Sequence, residues 1–325
     1  MSTAPALWCV GPGAAELRPG ALGEGVLVEA LYSAISRGTE RLVFEGRVPD
    51  SERQRMRGPA QEGEFPFPVK YGYCAVGRVT EGALAGRTVL ALHPHQARFR
   101  LPEAALAPLP PELPPARAVL GPNMETALNV LWDGAAAPGD RIAVVGAGVV
   151  GALVARLATR LPGTEVTLVD VNADRAALAA ALDCAFAAPE EAPRDCDLVI
   201  HLSASAAGLA TALACAGTEA TVIEASWYGA GETPVPLGGA FHSRRLRLVG
   251  SQVGQLPSSR RPRWDHGRRL AKALQLLADP VLDRLFSGET AFEDLPGHYG
   301  AVLADPATLC HRIRYEREQE TPCSP

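Results

Sequence analysis

The run RIAVVGAGVVGALVARLATRL, residues 141–161, constrains this chain more than any other. It opens on apolar, largely β-branched residues, as a strand buried on both faces requires. Glycines then stand at Gly146, Gly148 and Gly151, and an Ala- and Leu-rich helical pattern follows. Such a spacing alone is weak evidence, because glycine turns are common. Between a strand and a helix it is specific. Gly146 permits a tight turn, Gly148 lets a pyrophosphate approach the backbone, and Gly151 lets the helix pack closely on the strand. The N–H groups of Val149 and Val150 and the positive end of the helix dipole then face that anion.

The following segments repeat this grammar. EVTLVDV, DLVIHLSAS and EATVIEAS read as strands, and ADRAALAAAL and AGLATALACA as helices, while residues 246–254 can supply a sixth strand. Strands alternating with helices imply a parallel sheet with right-handed crossovers, an α/β domain of the doubly wound Rossmann type. Asp170 ends the second strand, 19 residues after Gly151. A carboxylate there accepts both ribose hydroxyls of an adenosine and repels a 2′-phosphate, which favours NAD. Arg175 lies one helical turn further on and pairs readily with phosphate, so NADP stays open. Ser203, in DLVIHLSAS, and Ser251, at the carboxyl edge of the sixth strand, are further cofactor-contact candidates.

The N-terminal part differs. Residues 25–102 hold short, often alternating apolar stretches punctuated by Gly and Pro, which reads as a β-rich barrel. Residues 106–118 contain Pro108, Pro110, Pro111, Pro114 and Pro115 and suit neither a helix interior nor a central strand. We read them as the connection between domains. GRRLAKALQLLAD has helical spacing, and LCHRIRY looks like a closing strand. The expected division is a β-rich domain over residues 1–115, completed by 265–325, and a Rossmann domain over 116–264.

Composition narrows the classes. A chain of 325 residues, 47% hydrophobic and 21% charged, is long enough for two cores. The net charge of −5 provides no basic field for nucleic acid. The basic run from Arg260 to Arg269 is interrupted by Pro262, Trp264 and Asp265 and reads as the approach to a helix. No secretory pattern or membrane-spanning apolar run is evident, and the seven cysteines are scattered without a CxxC pair. The expectation is a cytoplasmic protein with a small-molecule substrate.

Several motifs resemble those of the medium-chain dehydrogenase/reductase superfamily. Gly38-Thr39-Glu40 is similar to the CGTD of zinc alcohol dehydrogenases, GYCAVGRV to their GHEAAGIV, and GRTVLALHP to their GDRV strand. SAISRGTE with GYCAVGRV is most similar to the bacteriochlorophyllide hydroxyethyl dehydrogenase branch, with its SGISTGTE and GYESVGRV. The resemblance covers nearly the whole chain. It implies a GroES-like barrel domain, a Rossmann domain, an NAD(P)-dependent oxidoreductase and a homodimer. It also implies that Thr126 stands where the family's threonine meets the nicotinamide.

The departures concern the metal. In this register the family's zinc-binding cysteine becomes Arg37, the histidine becomes Tyr73, its glutamate becomes Cys74, and the third ligand falls near Pro122. The four-cysteine structural lobe is absent too. A tetrahedral zinc needs a set of Cys, His or carboxylate ligands, so no zinc is expected here. A relocated site would have to draw on Glu40, Cys74, His93, His95 and Glu125. His93 and His95, at i and i+2 in an extended segment, point to opposite faces.

Other groups must then serve the chemistry. Arg37 is permanently cationic and can polarise a carbonyl, with Glu40 as its natural partner; the alternative is a structural Arg37–Glu40 ion pair. Thr39 matches the family's proton-relaying hydroxyl or simply caps a turn. Tyr73 offers a phenol or packs in the core. His93 acts as general acid or base, or is only hydrogen-bonded. Glu125 is either a buried functional acid or a carboxylate at a helix start. Three functions follow: a zinc-independent hydride transfer between nicotinamide and a secondary alcohol or ketone, an NADPH-dependent reduction of an activated C=C bond, and nucleotide binding without catalysis.

Overall fold

A computed structural model describes residues 2–229 and 231–316. It divides the chain into two compact units. One joins Met1–Leu120 to Phe286–Pro325, and the other is Gly121–Leu285.

In the second unit, six strands form a wholly parallel sheet. Their spatial order is Ala185–Ala187, Glu165–Val169, Arg141–Val145, Cys196–His201, Ala216–Glu224, Arg247–Gly250. Strand order therefore runs outward in opposite directions from the pair Arg141–Val145 and Cys196–His201. That reversal is the switch point at whose carboxyl edge such sheets bind ligands. Ile142, Val144, Val199 and Ile200 on these central strands are completely buried, which explains their unbroken apolar runs. Helices Val149–Ala158, Arg175–Ala181 and Ala206–Cys215 make the crossovers. The sixth strand is shorter than the run that suggested it, and every one of its four residues is exposed.

Helix Gly121–Asp133 precedes the sheet, and helix His266–Leu276 follows it. Sequence reasoning assigned residues from 265 onward to the first domain, but this last helix belongs to the second unit. The reason is a buried ion pair. Arg269 Nε donates to Glu125 Oε1 at 3.0 Å and its Nη1 to Asn129 Oδ1 at 2.7 Å. An arginine that is 3% exposed tolerates no separation from its carboxylate. Glu125 is accordingly not a helix-start carboxylate: it sits beyond the first turn, packed against the other helix. Burial pushes its carboxyl up, with Arg269 acting against the shift.

In the first unit, Thr3–Gly11 and Ala14–Ala21 form an antiparallel hairpin in a four-stranded sheet. The sequence hid this hairpin, since Pro5 and Gly11 interrupt its alternation. A larger sheet has Val26–Ile35 at its centre. It pairs antiparallel with Ala75–Val79, with Arg98–Leu101 and with the closing strand Cys310–Arg314. The proline-rich run lies inside this unit. Ala107–Pro108 is an edge strand on Thr88–Ala91, and Pro115–Ala118 is a short helix with proline at its start, where a missing N–H costs nothing. The unit boundary therefore falls after Leu120 rather than near residue 115.

Candidate functional site

The turn after Arg141–Val145 is built around its three glycines. Gly146 has φ +112°, and a Cβ there would lie 2.8 Å from the Leu202 carbonyl carbon. A Cβ on Gly151 would lie 1.9 Å from the Gly146 carbonyl oxygen, so the helix approaches the turn as closely as it does only with glycine. Gly148 is different. It is the extended residue preceding the helix, and a Cβ there would meet nothing within 4 Å. The protein's own packing does not demand glycine at this position, whereas a ligand drawn against the backbone does.

Asp170 holds this turn in place. Its Oδ2 accepts from Ala147 N at 2.6 Å and its Oδ1 from Asn172 N at 2.8 Å. Each carboxylate oxygen keeps a further lone-pair direction for a ribose hydroxyl. Asn172 Oδ1 accepts from Asp174 N, and Arg175 begins the next helix. Thr126 Oγ1 donates back to Pro122 O at 3.0 Å within its helix. Ser251 Oγ donates to Asp133 Oδ2 at 2.6 Å, so this cofactor-contact candidate is tied to the helix Gly121–Asp133.

Sequence reasoning missed a group at the same carboxyl edge. His201 and Glu224 end adjacent parallel strands and face one another in register. His201 Nδ1 lies 2.7 Å from Glu224 Oε2, and its Nε2 lies 2.7 Å from Ser203 Oγ. Ser203 continues to Ser205 Oγ at 2.9 Å, and the Tyr228 hydroxyl donates to Glu224 Oε2 at 3.0 Å. Burial raises the Glu224 carboxyl, but hydrogen bonds from His201 and Ser226 more than offset this, and its pKa is lowered. His201 is fully buried while Ser203 is exposed, so the chain carries an interior carboxylate's influence to an accessible hydroxyl. The available signal was a polar residue at the end of each of two neighbouring apolar strands.

In the first unit, residues expected as a turn form the helix Arg37–Phe44. Its Glu40 is fully buried. The carboxylate lies 2.9 Å from His95 Nε2, accepts from the Tyr299 hydroxyl at 2.6 Å, and accepts from Ser36 N at 2.7 Å. Burial and the Glu40 charge raise the Tyr299 pKa well above its usual value, keeping it a donor. His95 Nδ1 continues to Ser33 Oγ at 2.9 Å, which meets the Tyr315 hydroxyl at 2.9 Å. Arg37 Nε donates to Leu303 O at 3.2 Å. Arg37, Thr39 and Tyr73 are all half-buried.

His93 turns away from this network. Its ring stacks on Phe99 at 3.9 Å, Nδ1 lies 2.9 Å from Pro94 O, and burial lowers its pKa to about 3. It is a neutral, packed imidazole at ordinary pH, which argues against the expected acid–base role. Cys74 is buried, with its thiol pushed up by burial and donating to Val119 O at 3.3 Å. Among the described residues, no three His, Cys, Asp or Glu side chains gather to hold a metal ion. Arg37, at a position that the motif resemblance sets against a zinc ligand, has no lone pair to offer a metal.

The chain has the two-part fold of the medium-chain dehydrogenases, a GroES-like domain and a Rossmann domain. It is similar to L-idonate 5-dehydrogenase from Escherichia coli, with TM-score 0.79 and 14% identity over 96% of this chain and 98% of that one. It is also similar to the alcohol dehydrogenase TADH from Thermus sp. ATN1, with TM-score 0.74 and 19% identity over 96% and 100%. A third similar structure is the yhdH oxidoreductase from Salmonella enterica in complex with NADP, with TM-score 0.70 and 19% identity over 97% and 100%. No protein-family model matches the sequence, and no curated protein matches it significantly.

Proposed function

We propose that this protein is an NAD-dependent oxidoreductase that transfers hydride between the nicotinamide and a secondary alcohol or ketone without zinc. The observation that carries the reading is the glycine turn: Gly148 faces open space at the helix start, and Asp170 clamps the turn from the neighbouring strand. The helix N-terminus favours the pyrophosphate, and the Asp170 charge favours a ribose without a 2′-phosphate. The bound nicotinamide supplies the hydride acceptor or donor. Thr126, Arg175, Ser203 and Ser251 complete the cofactor residues, with Val149 and Val150 presenting their N–H groups.

In this reading Arg37 places a fixed positive charge where oxygen becomes negative, the electrostatic task a metal performs in zinc dehydrogenases. Thr39 and Tyr73 provide hydroxyls that orient the substrate oxygen and pass its proton. Glu40 acts indirectly, holding the start of the Arg37 helix through Ser36 N and Tyr299. The similarity of SAISRGTE and GYCAVGRV to SGISTGTE and GYESVGRV supports the bacteriochlorophyllide hydroxyethyl dehydrogenase branch. The exposed edge strand Arg247–Gly250, with Leu248 and Val249 uncovered, supports a homodimer in which a second copy extends the sheet. No helix among the described residues is long and apolar enough to cross a membrane.

A second reading is NADPH-dependent reduction of an activated C=C bond. Arg175 beside the adenosine end favours it, as does the NADP held by the Salmonella oxidoreductase. Fluorescence titration with NADH and NADPH, alongside metal analysis of the purified protein, tests both. Preference for NADH without stoichiometric zinc supports the proposal, strong preference for NADPH supports the second reading, and binding of neither cofactor overturns both in favour of a non-catalytic protein. Arg37→Ala is expected to lower turnover by at least a hundredfold; unchanged turnover would make Arg37 structural.

A further inference from the structure

A cavity of about 790 Å³ opens within the second unit, away from the glycine turn. It lies by the other end of helix Val149–Ala158, where Leu157 and Leu161 form part of its wall. That helix is 10 residues long, so about 15 Å separates its two ends. Leu131, Trp132, Trp264 and Leu276 add to the apolar lining. The volume is that of a small-molecule site, roughly 300–1,000 Å³.

The polar residues on this lining are unusual in sign. Arg160, Arg260 and Lys272 all contribute to it, and no aspartate or glutamate does. The two indoles lie 4.8 Å apart between centroids, and Arg260 sits 5.1 Å over the Trp132 ring. Arg268 sits 4.1 Å over Trp264, which fixes the second indole from outside. Lys272 Nζ donates to the neutral Gln275 side chain at 2.6 Å. An apolar hollow with three exposed cations on its lining, Arg160 lying near Asp279, suits a ligand with an apolar body and one anionic end. A neutral apolar ligand makes no use of these cations, and a small inorganic anion leaves the hollow unfilled.

We propose that this cavity binds one free acyl carboxylate per chain, its alkyl chain against the leucines and indoles and its carboxylate at Arg160, Arg260 and Lys272. Aliphatic walls favour an alkyl body, since Leu128, Leu131, Leu157, Leu161 and Leu276 all line the space. The site also gives the basic run from Arg260 a role that nucleotide binding leaves unassigned, and it does not depend on the oxidoreductase reading.

The test titrates the full chain with monomeric sodium decanoate, followed by calorimetry and tryptophan fluorescence. The expected result is saturable binding of one decanoate per chain, with decanol binding at least tenfold more weakly. Arg260→Glu combined with Lys272→Glu should weaken decanoate at least tenfold while thermal unfolding stays cooperative. Ala136→Phe, which fills the cavity without touching its charges, should abolish binding and provides an independent check if the double variant misfolds. Absence of decanoate binding at millimolar concentration would overturn the assignment, as would equal affinity for decanol or an unaffected double variant. Association only with phosphatidylglycerol vesicles, without binding of the free acid, would likewise overturn it in favour of a membrane-surface contact.

Discussion

The two units contain the same chemical chain in opposite settings. In the first, Glu40, His95 and Ser33 form a carboxylate–imidazole–hydroxyl series, and in the second Glu224, His201 and Ser203 do the same. The first series ends on the buried Tyr315 and is sealed from the other side by Tyr299. The second ends on an exposed serine at the carboxyl edge of a parallel sheet. Identical residue types are therefore sealed in a core in one place and end on an accessible hydroxyl in the other. Where the series terminates, not its composition, separates the sealed network from the accessible one.

The sharpest way to break this comparison is to remove the sealed carboxylate. Glu40→Ala leaves His95, Tyr299 and Ser36 N without their buried partner and should cost about 3–5 kcal/mol of stability. Urea unfolding measures this, and a loss below about 1 kcal/mol would show that the network is not structural. Gly148→Val should act in the opposite sense. Stability should move by no more than about 1 kcal/mol, since a Cβ at this position meets nothing within 4 Å. NADH affinity should fall by about a hundredfold, ~2.7 kcal/mol. Retained affinity would mean that no cofactor passes over that residue.

His93 yields a pH effect confined to the first unit. Its folded-state pKa is lowered from 6.5 to about 3, so on acidification the unfolded chain takes up a proton before the native one does. The stabilisation is complete above pH 6.5, is lost as pH falls, and stops changing near pH 3. The slope is up to about 1.4 kcal/mol per pH unit. His93→Leu should flatten this part of the stability profile, and an unchanged slope would assign it to other groups. The smallest effect belongs to the open series: Ser203→Ala should alter stability by about 0.5 kcal/mol or less. Weaker NADH binding in the same variant would set it apart from a change in the sealed network.

The second unit is largely legible in the sequence, because parallel strands buried on both faces leave unbroken apolar runs and the glycine turn is local. Asp170 could be placed by counting, and its bonds to Ala147 N and Asn172 N show why that count is stable. The first unit was less legible. Its hairpin Thr3–Gly11 with Ala14–Ala21 carries prolines and glycines, and its closing strand arrives from the far end of the chain.

Residue types at the family's metal positions were likewise determined by sequence alone: Arg37 and Tyr73 are present whatever the fold does. Which groups Glu40 would hold was not, since Tyr299 lies 259 positions away and His95 lies 55. The same holds for Glu125 with Arg269, which moved a whole helix from the expected first domain to the second unit. Local sequence determines strand, turn and helix because their hydrogen bonds close within a few residues. Partners of a buried charge are chosen by the tertiary structure, because the cost of leaving it unpaired is met by whatever the fold brings within 3 Å.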